Sequence, residues 1–372
     1  MLAKGLGVSP NTLRQLILLM KQINKEIKKF LSNIFCVVGR NSPYQINDFV
    51  NVLLDAIEHT DFTNNTCVRI GGPTGETVFS RLKNVDFNKI KNAFFNFLER
   101  IFPLIKTFSR NRKIALAFDS TDEPFYGKVE GLFIHHYKPV RGSTGCFKYL
   151  TVSIINNENQ LILGSLPIRI GGDIVALVLE LINQAKKFVS IDNTVFDRGF
   201  VDYRLVDSLQ KAGVRYQIFW RKDKRIKKIL EKMKQGELKE NIYTGKYSRN
   251  KSTFKIKTRF IYIKQYRRYK KSKTYNWVFA TNIRYKWQHL YVDKYRKRWS
   301  IETTFRVLDN IQLKTTTKNE IIRYFINIFC CLIYNLWKLK NILKTKTTLK
   351  NFVIKTKESI KEMLQEKTAP DG

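Results

Sequence analysis

The sequence is poor in cysteine, and the arrangement of the few that it has excludes two kinds of site. The 372-residue chain has five, at scattered positions, and no two of them are spaced Cys-x-x-Cys. A disulfide framework needs an even set and a structural zinc site needs closely spaced pairs, so neither is indicated. The adjacent His135 and His136 have no i,i+4 histidine partner and are expected in a loop or strand. The cysteines are Cys36, Cys67, Cys146, Cys330 and Cys331.

Long apolar runs and nucleotide-binding loops are also missing. The best apolar candidate, residues 321–337, is interrupted by Arg323, Asn327 and Asn335, so it predicts a buried helix rather than a membrane span. The N-terminus lacks the basic, apolar and small-residue order of a secretory signal. No Gly-x4-Gly-Lys-Ser/Thr loop occurs, which makes nucleotide-driven chemistry unexpected. An intracellular protein with no membrane partner is predicted.

Acidic residues are scarce relative to basic ones. Lys and Arg number 68 against 31 Asp and Glu, a formal net charge of +37. Hydrophobic residues make up 43% of the chain and aromatics 13%, so the protein is expected to be globular rather than a disordered basic tail. Charge of this size indicates a polyanionic partner, and nucleic acid is the expected one.

The chain divides into a helical part and a mixed part. Residues 1–108 read as helices and predict a DNA-binding domain. From residue 113 the period becomes strand-like, with strands at 113–118, 146–154 and 161–167, followed by alternating helices and strands. This order predicts a mixed α/β sheet over residues 109–220.

A basic segment follows the sheet. Residues 221–275 hold 21 Lys and Arg against four acidic residues, a net charge of +17, which is more than solubility requires. Residues 255–266 alternate as a strand, so we expect a folded, basic, β-rich insertion over 221–285 that contacts DNA; a solvated surface module is the alternative. Helices complete the core at 286–340, and a C-terminal helix or tail covers 341–372.

Three acidic residues stand in recognisable contexts. Asp119 ends the apolar run 114–118, Asp197 follows a predicted strand, and Glu302 lies on a predicted helix. Each has another interpretation: Asp119 as a turn former, Asp197 as a helix N-cap, and Glu302 as half of a surface ion pair with Arg298, worth a few tenths of a kcal/mol. Asp122 and Glu123 are possible substitutes for Asp119. Together, in so basic a chain, the three predict a metal-dependent enzyme acting on nucleic acid.

Glu302 lies on a predicted helix with a polar face and an adjoining apolar stripe. At about 100° per residue, Tyr295, Arg298, Glu302 and Asp309 fall on one face of a single continuous helix. The adjoining apolar stripe is expected to dock that helix on the sheet; its residues are Ile301, Phe305 and Leu308.

These segments resemble the DDE transposases of prokaryotic insertion sequences, in the subgroup with the Tyr-x2-Arg-x3-Glu-x6-Lys signature. Tyr295, Arg298 and Glu302 match that signature in spacing. The strings at 117–121 and 197–200 look like the first- and second-aspartate blocks, and residues 332–337 are similar to the helix that follows the glutamate. The signature lysine is replaced by Asp309, although Lys314 lies nearby in sequence.

The resemblance implies a ribonuclease-H-like catalytic fold with an insertion between the second aspartate and the glutamate. It implies two Mg²⁺ or Mn²⁺ ions held by Asp119, Asp197 and Glu302. It also places an aromatic residue on a flipped DNA base, a position held here by Trp277, for which a packed strand residue is the equally weighted alternative. The remaining implied DNA-binding residues are Tyr295, Arg298, Arg198, Arg221 and Lys222.

The implied function is cut-and-paste transposition with a hairpin intermediate. The implied partners are the terminal inverted repeats of the element, target DNA and a second copy of the chain, in the cytoplasm and at the nucleoid. Two alternatives stay open: a nuclease of the same fold that does not rejoin strands, and a decayed transposase that only binds DNA, which Asp309 favours.

Overall fold

The computed structural model describes residues 10–35, 42–109, 113–136, 142–155, 160–249, 252–266, 275–343 and 346–368. Cys36 lies outside these residues. Within these residues the protein forms a nine-stranded mixed sheet with helices on both faces, preceded and followed by helices. The predicted mixed α/β class is confirmed.

The described residues of the N-terminal part form five helices. Two of them have local start signals: the backbone N–H of Gln45 donates to Asp48 at 2.7 Å before the second helix, and Thr74 accepts from Thr77 before the fourth. The third helix was not predicted, because its eight polar-rich residues carry no apolar stripe. The helices are α1 (Pro10–Ile34), α2 (Ile46–His59), α3 (Thr63–Ile70), α4 (Gly75–Ser80) and α5 (Phe87–Ser109).

The N-terminal helices share one hydrophobic core with later helices and one face of the sheet. Phe35 meets Phe325 with ring centroids 5.6 Å apart, and Phe102 stacks on Phe188 at 5.1 Å. Aromatic pairs of this kind contribute about 0.5–1.5 kcal/mol beyond the area they bury. The later helices are α6 (Ile174–Phe188), α7 (Tyr203–Lys211), α11 (Glu320–Leu343) and α12 (Leu349–Thr368).

Helix α11 is long and apolar enough to cross a membrane, but 72% of its apolar window is buried inside the protein. Its polar residues have partners there. The side-chain amide of Asn335 bonds the backbone N–H and carbonyl of Ile162 at 2.9 and 2.8 Å, and Arg323 pairs with Glu123. The structure therefore makes α11 a core helix, as its sequence predicted.

The sheet is built around one central strand. β1 pairs antiparallel with β3 and parallel with β5, in the order β2-β3-β1-β5-β6-β9-β8-β7, with β4 beside β3. β1 is longer than predicted, because it continues past the apolar run as a partner of β3. The strands are β1 (Ile114–Phe125), β2 (Ile134–His136), β3 (Gly145–Ile154), β4 (Ile162–Pro167), β5 (Ile191–Phe196), β6 (Tyr216–Phe219), β7 (Leu238–Arg249), β8 (Ser252–Tyr266) and β9 (Tyr275–Thr281).

The insertion does not form a sheet of its own. β9 pairs with β6 and β8 pairs with β9, so β7 and β8 extend the central sheet as its last two strands. The insertion also contains a helix, α8 (Lys224–Glu231), whose N-terminus is capped by the carboxylate of Asp223. The domain boundaries given above stay predictions.

A second, smaller core lies on the opposite face of the sheet. It is covered by α9 (Gln288–Arg296) and α10 (Trp299–Asp309). Ile301 of α10 is fully buried in this core and fixes the helix against β1 and β5. The helix that carries Glu302 therefore lies over the strands that carry the two aspartates.

Candidate active site

Asp119 lies on β1 at the point where pairing with β5 ends. The last β1–β5 pair is Phe118 with Phe196, while Asp119 itself pairs with Thr151 of β3. The expectation that Asp119 ends its strand is therefore wrong, because the antiparallel pairing with β3 continues to Phe125. It is the pairing of β1 with its parallel neighbour β5 that ends just before Asp119.

Asp197 directly follows the partner strand β5. Because Phe118 and Phe196 are paired, Asp119 and Asp197 leave neighbouring strands at the same edge of the sheet. The Asp197 carboxylate accepts a hydrogen bond from the backbone N–H of Gly199 at 2.7 Å and caps a short 3₁₀ turn. The N-cap interpretation is correct for this turn but not for α7, which Asp202 caps.

Glu302 is connected to Asp119 through Arg298. The Arg298 guanidinium donates to Asp119 Oδ2 at 2.8 Å and to Glu302 Oε1 at 2.6 Å. The side chain of Arg298 is 8% exposed, that of Asp119 15% and that of Glu302 41%. The Arg298–Glu302 pair is therefore only in part the surface pair that the sequence suggested, because the arginine is buried whereas the glutamate stays exposed to solvent.

The predicted continuous helix is broken beside this arginine. α9 ends at Arg296 and α10 begins at Trp299, with three i→i−3 backbone bonds across the junction, among them Arg298 N–H to Tyr295 at 2.9 Å. Such bonds tighten the turn to a 3₁₀ geometry. The Tyr295 ring is buried in the smaller core, and the guanidinium carbon of Arg298 lies 5.8 Å from the centre of that ring.

The three carboxylates act on one another electrostatically. Burial raises the pKa of the Asp119 carboxyl to about 6; the charge of Arg298 opposes this rise, and the charges of Asp197 and Glu302 add to it. Since like charges influence a pKa mainly at close range, the three acids are neighbours, and Asp119 is more buried than Glu302. Excess negative charge of this kind favours a bound cation.

A model of the transposase DDE domain matches residues 111–336, which is more than half of the chain and includes all three acids. The chain belongs to the transposase DDE-domain family. The resemblance stated from the sequence is confirmed at this level. Members of the family catalyse DNA cleavage and strand transfer, so the protein is an enzyme of that class.

The fold of this DDE transposase is similar to a solved structure. A cryo-EM structure of the piggyBac transposase synaptic complex with hairpin DNA superimposes with a TM-score of 0.56, over 95% of this chain and 82% of that one. The two sequences are 13% identical, so the similarity is one of fold. No curated protein sequence matches the chain.

Divalent metal ions are the usual cofactors of this family. The donor set fits them, because three carboxylates supply the oxygen ligands that Mg²⁺ and Mn²⁺ prefer, and the charges of Asp197 and Glu302 both act on Asp119. The fit is incomplete in one respect. Among the described residues, the only acidic group whose ligand atoms all lie within 4.8 Å is Asp55, Glu58 and His59, so the catalytic candidates are more widely spaced.

The group of Asp55, Glu58 and His59 lies on α2, where its two acids form ion pairs. Asp55 accepts from Lys357 of α12 at 2.7 Å and from Arg69 at 2.6 Å, and Lys357 also bonds Glu58. The amine and the guanidinium already neutralise these acids, and the pairs connect α2 to α3 and α12. We therefore interpret this group as a structural ion-pair network.

The two suggested substitutes for Asp119 do not compete with it. Glu123 is buried and pairs with Arg323, and it also accepts from the Tyr149 hydroxyl at 3.0 Å. Asp122 is exposed and faces Lys148 at 3.6 Å. Neither contacts Arg298, through which Asp119 is connected to Glu302.

Gly199 was not singled out from the sequence, and the structure gives it a role. A Cβ at this position would lie 2.9 Å from Asp197 Oδ1, which is closer than a real Cβ contact. The signal in the sequence is only that a glycine follows the aspartate by two residues. The carboxylate needs this space to accept the Gly199 N–H bond.

Replacement of Gly199 by alanine should therefore displace the Asp197 carboxylate. Because only the end of one side chain has to move, we expect the melting temperature of Gly199→Ala to change little. A misplacement of about 1 Å can cost about a hundredfold in rate, so DNA cleavage in Mg²⁺ should fall by about tenfold to a hundredfold. Unchanged cleavage rates would show that the position of Asp197 is not critical.

The three predicted basic contacts lie together beside Asp197. Arg221 Nε donates to the Arg198 carbonyl at 3.0 Å, and the Lys222 ammonium lies 4.1 Å from the centre of the Tyr275 ring. Burial and the charge of Arg198 lower the pKa of Lys222, which places these two cations close to each other. Adjacent cations repel, and a bound phosphate would relieve that repulsion.

The two predicted aromatic contacts are in the core. Tyr295 is 3% exposed and Trp277 is 9% exposed, and their rings meet at 5.8 Å in a T-shaped pair next to Phe219. Burial also raises the pKa of Tyr295 to about 12. Trp277 thus has the packed-strand position that was its alternative, and its contact with a flipped base stays a prediction that requires this cluster to open.

The residues near the missing signature lysine are on the surface. Asp309 is exposed and lines a cavity with Thr121 and Leu308, on the side of α10 that faces α11. Lys314 is exposed, and its backbone N–H donates to the carbonyl of Asp61 at 3.1 Å, which attaches this loop to the α2–α3 turn. Neither side chain has a hydrogen bond to the three acids.

Proposed function

We propose that this protein moves an insertion sequence by metal-dependent DNA cleavage and strand transfer, on a cut-and-paste route with a hairpin intermediate. The observation that carries the proposal is the convergence of Asp119, Asp197 and Glu302 from β1, β5 and α10, in a chain of the transposase DDE-domain family.

The three acids are proposed as the ligands of two Mg²⁺ or Mn²⁺ ions. When bound, such ions activate a water or a 3′-hydroxyl and stabilise the oxygen that leaves. The protein itself supplies attachment: Asp119 is fixed by pairing with β3, Asp197 follows the paired end of β5, and Glu302 is fixed by the docking of Ile301. No covalent enzyme intermediate is required.

Phosphates next to the site are proposed to contact Arg198, Arg221 and Lys222, which lie beside Asp197. Their proximity supports this assignment, as does the cost of holding cations close together without an anion. Arg298 is already bonded to Asp119 and Glu302, so a direct phosphate contact requires it to leave one of them.

A second DNA interface is proposed on the β7–β8 hairpin. Lys246 lies directly opposite Lys255, and Lys257 is two residues further along the same strand, so all three are on one face and exposed. The other face packs on α7, where Gly245 meets the Tyr203 ring. Like charges directly opposite each other destabilise a hairpin, and binding to a polyanion compensates for this.

The proposed partners are the terminal inverted repeats of the element, target DNA and a second copy of the chain. Two ends must be held together for concerted joining, which favours a symmetric dimer. The solved piggyBac structure contains a synaptic complex with hairpin DNA, and we propose a comparable assembly here. Because the proposed substrate is chromosomal DNA, we propose that the protein acts in the cytoplasm, at the nucleoid.

Strand-transfer assays test this function. Duplexes that carry the DNA flanking the gene are incubated with protein and Mg²⁺ and resolved on denaturing and native gels. We expect nicks at the element end, then hairpins, then joined target products, with two DNAs per protein dimer in size exclusion. If unrelated duplexes are cut equally well and no strands are joined, the protein is a nuclease and not a transposase. If the protein binds DNA but does not cut it, the protein is a decayed transposase copy, which the replacement of the signature lysine by Asp309 favours.

A further inference from the structure

Arg298 occupies the space between two of the carboxylates proposed to hold the metal. Its two terminal nitrogens bond different acids, Asp119 at 2.8 Å and Glu302 at 2.6 Å. Its Nε is buried and makes no hydrogen bond to any residue that the structure describes. The guanidinium is therefore held by the two carboxylates, with the side chain of Tyr295 as a further neighbour.

The backbone beside Arg298 is firmly placed. Its N–H bonds the carbonyl of Tyr295 at 2.9 Å, and its guanidinium carbon lies 5.8 Å from the centre of the Tyr295 ring. That ring is packed against Trp277 and Phe279 in the smaller core. Any change in the position of the guanidinium must therefore come from the side-chain torsions of Arg298 and not from movement of α9.

The positive charge of Arg298 competes with a cation for the same oxygens. A divalent ion takes carboxylate oxygens at about 2.0–2.1 Å, and like charges a few ångströms apart repel strongly in a buried site. The spacing of the acids agrees with this competition, since within the described residues the catalytic acids do not gather within 4.8 Å. The guanidinium separates Asp119 from Glu302.

We propose that Arg298 is a built-in counter-ion: it holds Asp119 and Glu302 in position in the metal-free protein, and it must release at least one of them when a divalent cation binds. The proposal rests on the proposed function, in which these acids are the metal ligands. Its consequence is that metal binding and a free guanidinium beside the scissile phosphate arise together. The metal-free site would stay ordered and have low affinity for metal.

Metal affinity of the full-length protein without DNA distinguishes this role from a purely structural one. Titration calorimetry with Mn²⁺ should give a dissociation constant about tenfold or more lower for Arg298→Gln than for the natural protein, because one opposing charge is removed. Arg298→Lys keeps the charge and should remain within about threefold. Arg323→Gln is the matched control: it breaks a buried pair with Glu123 and should not change Mn²⁺ affinity.

A second measurement uses the natural protein and does not depend on the variant folding. With ¹⁵N-labelled arginine, the side-chain Nε–H signal of Arg298, assigned by its loss in Arg298→Lys, should shift on Mg²⁺ addition. The Arg323 signal should not shift. Two results would overturn the counter-ion role alone. One is that the natural protein binds Mn²⁺ and Arg298→Gln binds it equally or more weakly. The other is that the Arg298 signal does not shift when Mg²⁺ is added. Absence of Mn²⁺ binding in every variant overturns the metal site and this role with it.

Discussion

Asp119→Asn, Asp197→Asn and Glu302→Gln should each reduce strand cleavage in Mg²⁺ by far more than a hundredfold while DNA binding stays within about twofold. Loss of a partner that only orients a metal ligand already costs about tenfold to a hundredfold, and loss of the ligand itself should cost more. Removal of negative charge cannot weaken phosphate contacts made by Lys and Arg. Single-turnover nicking on denaturing gels and fluorescence anisotropy at fixed salt measure the two quantities.

Asp122→Asn is the matched control for this series. Asp122 lies on the same strand as Asp119 and is exposed, and its neighbour Lys148 is 3.6 Å away. Its replacement removes the same charge from β1 without touching Arg298 or Glu302, so cleavage should stay within about twofold. Full cleavage by Asp119→Asn would instead mean that the first metal ligand lies elsewhere in the chain.

Simultaneous replacement of Lys246, Lys255 and Lys257 by glutamine should weaken DNA binding strongly at low salt. Each lost phosphate contact flattens the dependence of log K on log salt by about 0.9. Arg259 and Lys264 are left out of this set because Arg259 pairs with Glu240 and Lys264 donates to the Met233 carbonyl. Anisotropy titrations at several salt concentrations give the slope.

A second triple variant controls for net charge. Lys350, Lys355 and Lys361 are exposed on α12, so their replacement by glutamine lowers the charge of the chain by the same amount. If binding depended on overall charge alone, the two triple variants would lose affinity equally. A salt slope that is unchanged for the hairpin variant would show that this face of β7 and β8 is turned away from DNA.

The sequence by itself determined the class of fold and the family, and it predicted the three acids. Each of these depends on short-range information: the change from helical to strand period near residue 113, the spacing of Tyr295, Arg298 and Glu302, and the charge of the insertion. The sequence did not indicate α3 or α8, because each has only eight residues, which is too short a segment for periodicity to distinguish a helix.

Only the tertiary structure decided how the side chains of the site are used. Arg298 bonds Asp119 across 179 positions of sequence, and no local pattern carries that pairing. The sequence predicted one continuous helix, whereas α9 and α10 are separate, and Tyr295 is buried in the smaller core beside Arg298. Burial is a property of the whole fold, so the raised pKa of Asp119 and the packing of Trp277 could not be read from neighbouring residues.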